Sequence, residues 1–291
     1  MNLLLKFNLA LVAVFSLAMI PAGWVAHSLL QKSARAQVIQ NARIMMETAM
    51  AVRGYTIKQI KPLLNDRLAE QFLPQTVPAY SATEIFHYLH ETYPEYEYKE
   101  ATLNPSNPRD RTTDWEADVV NEFRRDPDRT EIIGERNTPE GPSLFLSHPI
   151  PIKDPKCLAC HSTPAEAPAS QVRLYGPSNG FGWKLNEIVG AQIVSVPMSV
   201  PVEMANQAFR TLIGALAVVF AFTLLVLNLL LRFAVIGPLR RLATAANEVS
   251  RGNMEAERVE VPGRDEVAVL ARSFDRMRIS LQKALAMLDE G

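Results

Sequence analysis

Residues 211–231 read TLIGALAVVFAFTLLVLNLLL, a run of 21 residues with one amide, Asn228, and no charge. That length and composition predict a helix crossing the hydrocarbon core of a bilayer. A second apolar block, Leu9 to Ala26, is interrupted by Ser16 and follows Lys6. Two readings of it stay open. Trp24-Val25-Ala26 is a passable cleavage site for a signal peptide, while about 18 residues also suffice for a retained anchor. The helical pattern that continues beyond it without a break favours the anchor. Arg232, Arg240 and Arg241 follow the second span directly, so the positive-inside rule puts both termini in the cytoplasm and residues 28–208 outside. The expected partition is a short cytoplasmic N-terminus (1–8), a first transmembrane helix (9–27), an external domain (28–208), a second transmembrane helix (209–231), a cytoplasmic helical domain (232–286) and a tail (287–291).

The 291 residues carry a formal net charge of −1, which excludes a strongly basic nucleic-acid binder. The 20 prolines cluster between the two spans, in a turn-rich segment. Residues 28–73 predict one long helix, with Val38, Ala42, Met45, Met46, Ala49 and Val52 at three-to-four spacing and Pro62 bending or interrupting it. Ser81-Ala82-Thr83-Glu84 predicts a capping box for a helix through about Thr92. Tyr96 to Thr102 alternates as a strand, Asn104 to Pro108 is a compact turn, and Trp115, Val119 and Phe123 mark a short helix over Thr113–Arg125. Further strands are expected at Glu131–Glu135, Leu144–Ile150 and Ile188–Met198. The external domain is therefore expected to be α+β. Beyond the second span, Leu239, Leu242, Ala246 and Val249 form one helical stripe. After the connector Gly252 to Gly263, Val267, Leu270, Phe274, Met277 and Leu281 form another. Two short helices of this kind bury their stripes only with partners, most simply as a parallel four-helix bundle in a dimer.

The chain has two cysteines, Cys157 and Cys160, in Cys157-Leu158-Ala159-Cys160-His161. Thiols at this spacing can add across the two vinyl groups of one haem, with the adjacent His161 held beneath the iron as proximal ligand. A thioredoxin-like pair is the rival reading, without the β-α-β surroundings it needs, and a zinc site lacks a second cysteine pair. Covalent haem c is attached outside the bacterial cytoplasm, which calls for a cytochrome c maturation machinery and agrees with the charge rule. The sixth ligand stays open among His87, His90, Tyr80 and Met46, with His27 and His148 as further histidines, or a vacant position. Gly180-Phe181-Gly182-Trp183 reads as a Gly-rich turn with buried aromatics, its lining of a haem edge being the alternative. No P-loop, nucleophile elbow or H-E-x-x-H motif occurs, so no enzyme activity is expected.

Two resemblances follow from these residues. Ile236-Gly237-Pro238-Leu239 and Arg264-Asp265-Glu266-Val267-Ala268-Val269-Leu270 resemble a HAMP linker over about 232–286, with Ala268 where that family usually has glycine. The stretch Tyr98-Lys99-Glu100-Ala101-Thr102-Leu103-Asn104-Pro105, the Cys157–His161 motif, Tyr175-Gly176 and Gly180–Trp183 resemble a family of periplasmic single-haem, PAS-like sensor domains over roughly 35–205. This resemblance implies one covalent haem on Cys157 and Cys160 with His161 axial. The distal cysteine of some relatives has no counterpart here. The combination implies a homodimeric, two-pass receptor of the bacterial inner membrane that senses redox state or a small gas. With no output domain following the second HAMP helix, the signal is expected to reach a separate cytoplasmic protein, or the chain is part of a longer receptor. A membrane-anchored monohaem electron carrier is the alternative, and a receptor with a purely structural haem is a third.

Overall fold

The computed structural model describes residues 3–139 and 141–289. The ends of the expected N-terminal stretch and tail, 1–2 and 290–291, lie outside the described residues. The chain divides into two compact units, Ala26–Phe209 and Met1–Val25 with Arg210–Gly291.

The first unit is built on a four-stranded antiparallel sheet: β1 (Glu97–Thr102), β2 (Ile132–Thr138), β3 (Gly141–Pro151) and β4 (Ile188–Pro197), in the order β1-β4-β3-β2. The four strands fall at the expected places. The β2–β3 ladder also runs on to the pair Thr138↔Gly141, because a tight hairpin extends pairing beyond the apolar residues. Successive side chains point to opposite faces, so β1 sends Tyr98 and Glu100 one way and Lys99 and Ala101 the other. On the Tyr98 face, Leu144, Leu146, Val194 and Val196 pack under α1 (Leu3–Tyr55) and α3 (Pro78–Thr92), against Val38, Ala42, Met46, Ala49 and Phe86. On the other face, α4 (Asp114–Arg125) buries Val119, Val120 and Phe123 against Ala101, Ile132, Ala191 and Ile193. A capping box fixes the start of α4, where Thr113 and Glu116 satisfy each other's backbone N–H groups.

Two expectations are corrected here. The long helix is interrupted near Pro62 as expected but does not resume as regular helix to residue 73: α1 gives way to a π-turn at Thr56–Ile60, a single turn α2 (Lys61–Leu64) and a 3-10 segment Asn65–Ala69. Pro62 lacks an N–H and crowds the carbonyl four residues back, so the helix widens just ahead of it. The helix predicted from Ser81 starts earlier, at Pro78, whose fixed φ suits the first turn. Ser81 lies inside this helix and donates to the Gln75 carbonyl instead of capping.

In the second unit, α1 and α7 (Ser199–Leu230) contain segments long and apolar enough to cross a membrane. Large side chains stand outward on both, among them Leu17, Ile20, Trp24, Val218 and Phe222, each more than 60% exposed. The two helices run antiparallel, since three pairs ascend one as they descend the other. Asn8 and Asn228 exchange two amide hydrogen bonds of 2.8 Å, Phe15 stacks on Phe220 at 3.7 Å, and Gly23 lies against Ile213. A second π-turn, Leu231–Ile236, leads into α8 (Gly237–Ser250), and α9 (Glu266–Asp289) follows. The buried face of α8 is Pro238, Leu242, Ala245 and Val249; Ala245 takes the place predicted for Ala246, one residue round the helix. On α9 the fully packed residues are Ala268 and Ala271. Leu270, Met277 and Leu281, from the predicted stripe, are 48%, 58% and 44% exposed. The segment expected as a tail is helical as far as Asp289.

Candidate functional site

The Cys157–His161 motif lies in the long connection between β3 and β4. Asp154 caps the 3-10 turn Pro155–Cys157 by accepting from the Lys156 N–H at 2.9 Å. The turn passes directly into α5 (Leu158–His161). Helical geometry sets Cys157 and Cys160, three apart, on one side of this turn, and both thiols are free and partly exposed. Next comes α6 (Ala169–Tyr175), whose buried Gln171 donates to the Cys160 carbonyl at 3.0 Å.

His161 is fixed from two directions. Its ring stacks on Trp183 with centroids 3.8 Å apart and planes 8° from parallel. Its Nδ1 lies 2.7 Å from the Gly180 carbonyl oxygen. A carbonyl only accepts, so Nδ1 carries the proton, and Nε2 keeps its lone pair free for a metal. Burial lowers the His161 pKa, with the Gly180 bond acting the other way.

The loop carrying Gly180 is itself held in place. The Asn104 amide accepts from the Gly180 N–H at 3.2 Å and donates to the Phe181 carbonyl at 3.1 Å. Gly182 N–H donates to the Ser162 carbonyl at 2.8 Å, and Trp183 N–H to the His161 carbonyl at 3.2 Å. Gly180 has φ +83° and sits so close to Ser106 that a Cβ would meet its backbone at 2.7 Å. The Gly-rich turn thus orients the histidine, a role missed when it was read as packing or as a haem edge. Asn104 was legible as part of a turn and of the family resemblance, not as the residue that holds the Gly180 loop.

Burial raises the pKa of both thiols; at Cys157 the charge of Asp154 adds to this while Lys61 and Arg53 oppose it. A redox-active pair has a lowered thiol pKa instead, so these cysteines do not have the electrostatics of a thioredoxin-like site. Among the described residues no group of three or more His, Cys, Asp or Glu side chains is gathered as for a bare metal ion. The donor set is two neutral thiols and one imidazole nitrogen. Two buried side-chain oxygens close to it have no hydrogen-bond partner: Ser106 Oγ, on the residue against Gly180, and Gln171 Oε1, on the amide that holds the Cys160 carbonyl.

The other histidines and the remaining candidates are dispersed. His87 is exposed on α3, and His90 Nδ1 lies 3.3 Å from the Tyr96 carbonyl. Met46 is 1% exposed within the apolar core. Tyr80 lies under the Arg109 guanidinium at 4.8 Å. His27 meets Phe209 edge-on, and His148 lies 3.6 Å from a Glu131 carboxylate oxygen.

Residues 31–197 match the Tll0287-like family, and residues 230–283 match the HAMP domain. Among solved structures, the cyanobacterial haem protein Tll0287 is similar at 16% identity and a TM-score of 0.41, over 55% of this chain and 94% of its own. Among curated proteins none matches. With more than half its length matched, the chain belongs to the Tll0287-like family of haem-binding, PAS-like sensor domains and carries a HAMP domain after its second apolar helix.

Proposed function

We propose that this chain is a two-pass inner-membrane receptor that binds one haem c through thioethers at Cys157 and Cys160, with His161 as axial ligand. It senses redox state or a small gas in the periplasm and signals through HAMP, as a homodimer, to a separate cytoplasmic protein. The observation that carries this reading is the orientation of His161. Its Nδ1–H is committed to the Gly180 carbonyl and its ring face to Trp183, on the turn that presents the two thiols. The related cyanobacterial protein is itself a haem protein. When bound, the haem would supply a one-electron couple and an axial position open to exchange. The protein's part is to keep Nε2 unprotonated and aimed, and to hold the thiols on one side of α5. The partition into external domain, two spans and HAMP belongs to the same proposal, with the arginines after the second span supporting the orientation. A dimer is supported by the apolar side chains that α9 leaves uncovered, including Leu270, Met277 and Leu281.

Denaturing electrophoresis with peroxidase staining tests attachment. Haem should stay on the polypeptide, and Cys157→Ala with Cys160→Ala should abolish the band; a surviving band refutes attachment there. Alkaline-phosphatase fusions should be active near Pro168 and inactive near Gly252. Single cysteines at Leu239, Leu242, Val267 and Leu270, in an otherwise cysteine-free cytoplasmic segment, should change crosslinking rate when the haem is reduced or binds a gas. Identical rates in every haem state, with the partner proteins present, would replace the sensor by a membrane-anchored electron carrier.

A further inference from the structure

We propose that α6 couples the haem-bearing turn to the helical rod that α1 opens: Gln171, Ser170 and Arg173 are positioning residues through which one short helix caps the ends of both. The proposal rests on the haem reading above.

A helix leaves its last carbonyls without intrahelical partners. Since α5 is a single turn, donors for these groups come from elsewhere in the chain. The His161 and Ser162 carbonyls accept from the N–H groups of Trp183 and Gly182, at 3.2 and 2.8 Å. The Cys160 carbonyl accepts from Gln171 Nε2 at 3.0 Å, and Gln171 is only 3% exposed. That bond grips the peptide group joining the second attachment thiol to the axial histidine.

The same helix serves a second helix end. The rod runs from α1 through the π-turn and α2 into the 3-10 segment Asn65–Ala69. There the N–H groups of Glu70 and Gln71 both close on the Arg67 carbonyl, at 3.1 and 3.0 Å, and the chain leaves the helix. Ser170 Oγ donates to the Leu68 carbonyl at 2.9 Å, and Arg173 Nη2 to the Glu70 carbonyl at 3.2 Å. Phe72 meets Tyr175 edge-on, with ring centroids 5.8 Å apart. Residues 170, 173 and 175 thus follow 68, 70 and 72 in step. Arg173 also brings a positive charge to a helix C-terminus, where the dipole favours it.

Ser170 and Gln171 are adjacent and both buried, and each caps a different helix. A shift of the haem turn by more than about 0.5 Å exceeds what bonds of 2.9 and 3.0 Å tolerate. Either the rod end follows the turn, or a cap is lost. Linkage makes the effect reciprocal: whatever factor the haem state imposes on the rod end, the rod end imposes on the haem state. A strap with a purely structural role would hold both ends equally in every haem state.

The test is hydrogen–deuterium exchange on the haem-loaded full chain in detergent, read at the Glu70 and Gln71 amides. It compares the ferric chain, the chain reduced by dithionite, which gives one electron to the iron, and the reduced chain with NO bound. At least one change of state should alter exchange there by about fivefold or more, while the amides of α4 keep their rates. Gln171→Met keeps a side chain of similar length without the donor, and should shrink the difference between states to under about twofold with the Soret band in place. Ser170→Ala removes a single oxygen, should shrink it likewise, and serves if Gln171→Met fails to fold. A difference that persists in both variants overturns the proposal. So does equal exchange in all three states of the haem-loaded wild type while crosslinking in the HAMP helices still responds to the haem. If crosslinking is unresponsive as well, the sensor reading falls with it, and a wild-type chain without haem would refute the haem reading itself.

Discussion

Replacing Gly180 by alanine should damage the site and the fold together. At φ +83° a Cβ is strained by about 1–2 kcal/mol in any surroundings. Here it would also meet Ser106 Oγ at 2.0 Å and the Ser106 Cα and N at 2.7 Å. The hydroxyl can rotate away, but the backbone atoms cannot, so the loop must move off the Asn104–Pro108 turn. That movement withdraws the Gly180 carbonyl from His161 Nδ1, a hydrogen bond contributing about 1 kcal/mol. Together these give a loss of about 2–3 kcal/mol. Gly182→Ala is the control: its φ is +80°, but a Cβ there meets nothing within 4 Å, so it should lose only the strain, about 1 kcal/mol. Denaturant titration of the haem-loaded chain in detergent, followed by Soret absorbance, measures both. Resonance Raman of the ferrous iron–histidine stretch reports whether the proximal ring has lost its orienting bond. If Gly180→Ala matches Gly182→Ala in midpoint and leaves that band unmoved, the Gly180 carbonyl is not what orients His161.

Phe123→Ala, at a fully buried position under the sheet, should lower stability by about 3–5 kcal/mol while leaving the haem spectrum of the folded protein unchanged; a loss under about 1 kcal/mol would mean α4 is not part of the core. Burial, and then the Glu100 carboxylate, push Asp110 up to about 6 against the opposing pull of Arg109 and Lys99. The folded state therefore holds this proton to a higher pH than the unfolded chain does, and stability should fall by roughly 1–2 kcal/mol as pH rises from about 4 to about 6. Asp110→Asn should remove that slope and be the more stable form above about pH 6; unfolding midpoints at pH about 5 and about 8 that change equally in both proteins would contradict this.

The parts of the molecule legible in the sequence are those set by local pattern. Alternation located β1, the spacing of Trp115, Val119 and Phe123 located α4, and Cys157, Cys160 and His161 declared their chemistry by spacing. What escaped depends on competition or on distant partners. Ser81 and Glu84 form a good capping pattern, but Pro78 opens the helix first. Pro62 foretold an interruption, not that the relief would come as a π-turn ahead of it. The orientation of His161 rests on a backbone carbonyl 19 residues away, and a backbone acceptor leaves no mark on residue identity. The exchange of Ala246 for Ala245 reflects how finely packing between helices sets the phase of a stripe of small residues.

The amide pair between Asn8 and Asn228 limits how the two apolar helices can move. Sliding α7 by one turn along α1 is a shift of about 5.4 Å, far more than a 2.8 Å hydrogen bond survives. Both amides would then lose their partners, and the stacked rings of Phe15 and Phe220 would part as well. The two helices are therefore geared as a single lever. In the two-pass dimer proposed above, a signal would be carried by this helix pair turning or tilting as one body, and not by one helix sliding as a piston along the other.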